Sequence, residues 1–220
     1  MNNKALPEVK TAEKTGPSNQ NRVNKKCRQL IYLYQGKFNG LMMDPLAFIA
    51  GTKILNRNIC MFRDQDRTYY HGRIDNEMTD IQATLNWQLG HKNALFAHTD
   101  ELYCGGTSNG AYAAILCGHY LKADAVYAFS PQTVIDPSRI IAGISIPRAH
   151  LDLCDVLANS NGKTRFNIYY CEDNEVDRAH AEHISHCPNV SLHPVAGDSH
   201  NILATEGGKA VLPDLFPSFK

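Results

Sequence analysis

The sequence has no excess of either charge. Lys and Arg together number 22, as do Asp and Glu, so the formal net charge is zero. A neutral chain has no field to draw it onto nucleic acid or an anionic bilayer, which argues against both as partners. No run approaches the ~18 consecutive apolar residues of a membrane span. A disulfide framework is missing as well. The seven cysteines (Cys27, Cys60, Cys104, Cys117, Cys154, Cys171 and Cys187) are odd in number and scattered through mostly apolar settings. Met1–Lys26 lacks the apolar core of a signal peptide, so a reducing, cytoplasmic setting is the expectation.

Apolar residues make up 43% of the 220-residue chain, enough for a proper core. They begin late. Residues 1–26 are polar, with little to offset their ordering entropy, and read as a mobile leader with room for a short helix at Pro7–Lys14. Residues 27–220 then read as one domain of short apolar runs alternating with amphipathic stretches. Gln29–Tyr34, Asn58–Phe62, Glu101–Cys104, Ala125–Phe129, Phe166–Tyr170 and Val190–Val195 are strand candidates. Between them Pro45–Leu55, Met78–Leu89, Ala111–Leu121 and Asp177–Ser185 suit helices. This alternation predicts an α/β fold with a mostly parallel central sheet covered on both faces, whose ligands bind beyond the carboxyl ends of the strands. The segment between Ser130 and Phe166 is too short for much beyond one covering helix, so little or no cap domain is expected.

Chemistry concentrates from the junction just before the third of these helical intervals. Gly106-Thr107-Ser108-Asn109-Gly110 matches G-x-S-x-G between a strand candidate and a helix candidate. A turn that tight leaves no space for side chains two residues either side of the serine, and it aims the next helix's N-terminus at the reacting centre. Ser108 is therefore the candidate nucleophile, with the Asn109 N–H as an oxyanion donor. A general base should follow late in the chain. Of ten histidines, His200 stands directly after the last strand candidate, whereas His71, His91, His98 and His119 precede or flank the turn, and His193 lies within a strand run. The acid should come from Cys171–Asp177, where Asp173 and Asp177 both qualify. Asp177 equally suits a helix N-cap.

Together these features resemble the α/β-hydrolase superfamily from about Leu30 to Leu203. More narrowly, the chain is similar to small bacterial α/β-hydrolase-like proteins, some from polysaccharide or secondary-metabolite loci. Arg63-Asp64, the run Gly106–Ala114 (GTSNGAYAA), Ser130-Pro131-Gln132, and Asn174-x-x-Asp177-x-x-His180-Ala181 carry that likeness. The last of these favours Asp177 as the acid. The resemblance implies a Ser-His-Asp triad, an acyl-enzyme and no cofactor. Two departures stand out. Gln35-Gly36-Lys37-Phe38 replaces the usual His-Gly oxyanion loop, leaving backbone N–H groups of Gly36 and Lys37 as candidate donors. Cys171 replaces the glycine of the usual Gly-x-x-Asp, with Asn174 where the aspartate would stand.

Other signals have plainer explanations. His180-x-x-His183-x-x-His186-Cys187 offers metal-ligand types, but a spacing of three drifts round a helix, so no metal is expected. Arg63-Asp64 suits an ion pair tying its loop to the core, ahead of an anion site. Met42, Met43, Leu46 and Phe48 suit either an acyl pocket or core. Cys104 and Cys117 suit small packed residues. The reading is thus a serine hydrolase acting on an ester or thioester of a small-molecule or carrier-bound acyl group. An acyltransferase or cyclase with the same triad, and a non-catalytic scaffold, are the rivals. A homodimer is compatible with everything above.

Overall fold

In a computed structural model, residues 19–36, 40–140, 143–158, 160 and 162–217 are described. Seven strands form one sheet: β1 (Asn19–Arg22), β2 (Gln29–Tyr34), β3 (Asn58–Phe62), β4 (Glu101–Thr107), β5 (Ala125–Phe129), β6 (Arg165–Cys171) and β7 (Val190–Val195). Their spatial order is β1-β3-β2-β4-β5-β6-β7, and every pair is parallel except β1 with β3. β4 thus lies at the centre, with its carboxyl end delivering Ser108.

Strand alternation builds two cores. On β2, Leu30, Tyr32 and Tyr34 face one side and Ile31 and Leu33 the other, all fully buried. The first face is covered by α2 (Ile81–Leu95), α3 (Asn109–Tyr120), α4 (Leu153–Ala158) and α5 (Glu175–His183). The second is covered by α1 (Pro45–Gly51) and by the C-terminal segment, through Ile202, Leu203, Leu212, Leu215 and Phe216. The short α6 (Glu206–Val211) belongs to that segment. Between β5 and β6, α4 is the one α-helix among the described residues. No described helix is long and apolar enough to cross a membrane.

Three sequence expectations change. Residues 19–22, read as part of a polar leader, pair with β3 as an edge strand; residues 1–18, including Pro7–Lys14, lie outside the described residues. Four polar residues carry no apolar alternation, so the tertiary edge alone makes this strand. Helix α2 starts three residues later than its apolar spacing suggests, because Asp80 caps it by accepting from Ala83 N at 2.8 Å. Arg63 and Asp64 do not pair with each other. Buried Asp64 accepts from Tyr70 N at 3.0 Å and Thr68 Oγ1 at 3.1 Å, organising the turn after β3, while Arg63 Nε reaches Gln35 Oε1 at 3.4 Å.

The β4–α3 turn is the tightest point of the fold. Ser108 has φ 54° and ψ −123°, a conformation that costs about 1–3 kcal/mol. A Cβ at Gly106 would run into Gly110 O and C, and one at Gly110 into the carbonyl oxygens of Tyr34 and Gln35. What holds the strained turn is α3, buried from Asn109 through Gly118. Ile115 and Leu116 alone contribute about 1.5–3 kcal/mol each by burial, which outweighs the strain.

Beside α3, His71 is buried with its Nε2 2.9 Å from Tyr112 Oη. Tyr112 donates its one hydroxyl proton to His150 O at 2.6 Å, so His71 must donate from Nε2 and keep Nδ1 bare. That Nδ1 has no partner. Burial, and secondarily the His150 ring, push the His71 pKa down to about 3.

Two outcomes are expected. Gly110→Ala should prevent folding or cost at least ~3 kcal/mol by denaturant titration, since the obstructing atoms are backbone; a loss under ~1 kcal/mol would contradict the crossing described. Unfolded chains protonate histidine near pH 6.5, whereas folded His71 resists until about 3. Its contribution is therefore complete above pH 6.5 and fades as pH falls towards 3, at up to ~1.4 kcal/mol per pH unit. His71→Phe should flatten that acid limb. An unchanged slope would mean His71 does not carry it.

Candidate active site

Ser108, His200 and Asp177 meet beyond the carboxyl ends of the strands. Ser108 enters from the β4–α3 turn and donates from Oγ to His200 Nε2 at 3.0 Å. His200 stands in the loop after β7, and its Nδ1 donates to Asp177 Oδ1 at 2.8 Å. Asp177 lies in the first turn of α5, with its side chain 3% exposed against 44% for His200. The buried carboxylate and half-open imidazole divide the roles physically: Asp177 is shielded from competing water, while His200 faces a prospective substrate.

Asp177 is not the cap of α5. Asn174 is, accepting from Asp177 N at 3.0 Å, and its Nδ2 donates to Asp198 O at 2.9 Å. One side chain thereby fixes the turn bearing Asp177 and ties it to the loop bearing His200. The sequence held a signal for this, an Asn directly ahead of an acidic first turn, but its partner on the Asp198 loop is tertiary. Asp173, the competing carboxylate, stays exposed in the turn before α5. Asn174 occupies the departure from Gly-x-x-Asp noted above, and Cys171, in place of that glycine, is buried beneath the loop.

His180, one turn beyond Asp177, is also accounted for. Its Nδ1 accepts from Thr133 N at 3.2 Å, and Thr133 Oγ1 donates to His180 O at 2.9 Å. This ties α5 to the segment following Ser130-Pro131-Gln132. Burial is the main cause lowering the His180 pKa, which suits a neutral ring accepting at Nδ1.

A cleft of about 430 Å³ opens over Ser108, and Met42, Met43, Gln132, His200 and Asn201 are among its walls. Of the four apolar residues considered for an acyl pocket, Met42 and Met43 line it, Phe48 is buried in the core, and Leu46 is 73% exposed. Gly36 also borders the cleft, but its N–H donates to Gly40 O at 2.8 Å. That removes it as a donor to an oxyanion, because Gly40 O takes the hydrogen. Lys37 lies outside the described residues. Asn109, the first residue of α3, has a backbone N–H with no acceptor four residues back within the helix.

No family model and no curated protein matches the sequence. Solved structures do match. A capsule O-acetyltransferase of Neisseria meningitidis serogroup A superposes with a TM-score of 0.63 at 14% identity, covering 88% of this chain and 87% of its own. An esterase from Pyrococcus furiosus gives 0.56 at 16% identity, covering 84% and 79%. A hydrolase assigned to the α/β superfamily, from Xanthomonas campestris pv. campestris, gives 0.51 at 17%, covering 86% and 99%. With its central, mostly parallel sheet and its strand–serine–helix turn, the chain has the α/β-hydrolase fold.

Proposed function

We propose that the protein transfers an acyl group from an ester or thioester to water through Ser108. The observation that carries this is the continuous chain from Ser108 Oγ through His200 to the buried Asp177, at the mouth of a cleft. His200 Nε2 takes the hydroxyl proton as Oγ attacks the acyl carbon. The resulting oxyanion is met by the Asn109 N–H at the positive end of α3, with the Lys37 N–H proposed as second donor. Collapse expels the alcohol or thiol, which takes the proton back from His200. Water then loses a proton to His200, attacks the acyl-enzyme, and releases the acid and free Ser108. Asp177 holds the Nδ1–H tautomer and offsets the imidazolium charge. Met42 and Met43 offer the apolar wall for the acyl chain.

Transfer to an alcohol is the second reading. The likeness to a capsule O-acetyltransferase favours it, whereas the half-exposed His200 leaves water a path to the acyl-enzyme and favours hydrolysis. A non-catalytic scaffold has little support, because it gives no reason for Ser108 and His200 to keep hydrogen-bond distance. Seven free cysteines support a reducing compartment.

A fluorophosphonate probe followed by intact mass tests the nucleophile. The native chain should gain one adduct, Ser108→Ala none, and His200→Ala almost none. On the best ester found, Ser108→Ala and Asp177→Asn should lose roughly 10³–10⁴-fold or more in kcat/KM. A folded native chain that takes no label would sink the proposal. Hydrolysis and transfer separate by product: added alcohol should leave free acid dominant in the first case and divert the acyl group to a new ester in the second.

Asn174→Ala isolates the positioning of the acid. Loss of the cap should cost ~1 kcal/mol, lowering Tm by about 2–4 °C. Labelling should slow at least tenfold as well, because the tether to Asp198 is also lost. A lowered Tm with an unchanged labelling rate would reduce Asn174 to a cap alone.

A further inference from the structure

Away from Ser108, three soft ligand atoms converge where α4 meets the turn after α5. Cys187 Sγ lies 3.4 Å from Cys154 Sγ, and Cys154 Sγ lies 3.3 Å from His186 Nε2, with all three atoms within 4.8 Å of one another. We propose that Cys154, His186 and Cys187 form a binding site for a thiophilic divalent cation of the zinc class.

The distances suit such an ion. Tetrahedral coordination with Zn–S near 2.3 Å and Zn–N near 2.0–2.1 Å places ligand atoms ~3.8 Å (S to S) and ~3.5 Å (S to N) apart. Shifts of a few tenths of an ångström at Cys154 and His186, the two less buried side chains, close that difference. Charge suits it too, since two thiolates balance one divalent cation and a neutral imidazole adds nothing, leaving no net charge at a partly buried site. Cys187 is buried, Cys154 intermediate and His186 exposed, so a fourth position faces solvent and would be filled by water.

The surroundings hold the ligands in place. Asp152 Oδ1 accepts from Cys154 N at 2.7 Å and from His183 Nε2 at 2.8 Å, fixing the start of α4 against α5. Cys187 N donates to Ile184 O at 3.0 Å, closing the turn that presents His186 and Cys187. The three histidines that sequence spacing placed on one helix go separate ways: His180 to Thr133, His183 to Asp152, His186 to the cysteines. Only His180 and His183 lie on α5, and His186 falls in the turn beyond its end. Cys154, 33 residues before Cys187 in the chain, completes a ligand set that no spacing revealed.

Binding is tested on the full reduced chain with Co²⁺ and Zn²⁺ alone. Co²⁺ should bind with one equivalent and show thiolate-to-cobalt charge transfer with intense tetrahedral d–d bands, both abolished by Zn²⁺. At 100-fold excess over Kd, Zn²⁺ should raise Tm by roughly 5–10 °C. Cys154→Ser and the exposed His186→Ala should each weaken binding at least ~100-fold, the upper end of what loss of a supporting residue costs a metal site. His200→Ala should leave it unchanged. His186→Ala removes a solvent-facing ring and keeps the test decisive if Cys154→Ser folds poorly. Absence of charge transfer, or affinity unchanged from the native chain in both ligand variants, would overturn the proposal. So would a chain that binds no Co²⁺ but forms a Cys154–Cys187 disulfide on mild oxidation, which would make the cluster a redox pair.

Discussion

The contact of bare backbone at Gly106 and Gly110 is the constraint on which the rest of the site depends. Gly110 sits against the carbonyls of Tyr34 and Gln35, so α3 leaves the sheet directly above β2 and β4 with no side chain between. That approach forces Ser108 into positive φ, lifts its hydroxyl clear of the sheet, and points the amino end of α3 at the same place. Strain of this size persists only where the surroundings over-determine it. Here α3 does so, buried over ten consecutive positions.

Opposite the elbow, α5 is the second organising element. Its first turn carries Asp177, its cap Asn174 reaches the loop of His200, and His180 one turn later reaches Thr133 beside the cleft. Three side chains at successive turns of one short helix thereby align an acid, a base loop and a wall. Beyond its last turn come His186 and Cys187, facing Cys154 on α4. A cation there would clamp the far end of the helix whose near end holds Asp177, linking fold stability to the alignment of Asp177 with His200.

Much of this was legible in sequence because it is local. Consecutive apolar residues on Gln29–Tyr34 or Asn58–Phe62 fall alternately on opposite faces of a strand, so two-sided burial follows once these short unbroken runs are read as strands. A serine between two glycines at a strand–helix junction is likewise self-contained, since the clash it avoids involves residues next to it in the chain. His200 followed from its position after the last strand.

What the tertiary structure decided was every question of partnership across the chain. Which of two neighbouring aspartates meets His200 depends on helix phase and on a cap, Asn174, anchored to a loop 24 residues away. Whether Gly36 could stabilise an oxyanion depends on where its N–H is spent, and Gly40 takes it. Asn19–Arg22 becomes a strand only because β3 offers an open edge, and Cys154 meets His186 and Cys187 only because α4 packs beside the end of α5. Periodicity reports the face a residue presents to the core, whereas hydrogen-bond and ligand partners are set by how separate elements are brought together. The fold class and the candidate nucleophile were therefore set by the sequence itself, whereas the partner of His200, the fate of the Gly36 N–H and the cysteine–histidine cluster were set by the packing.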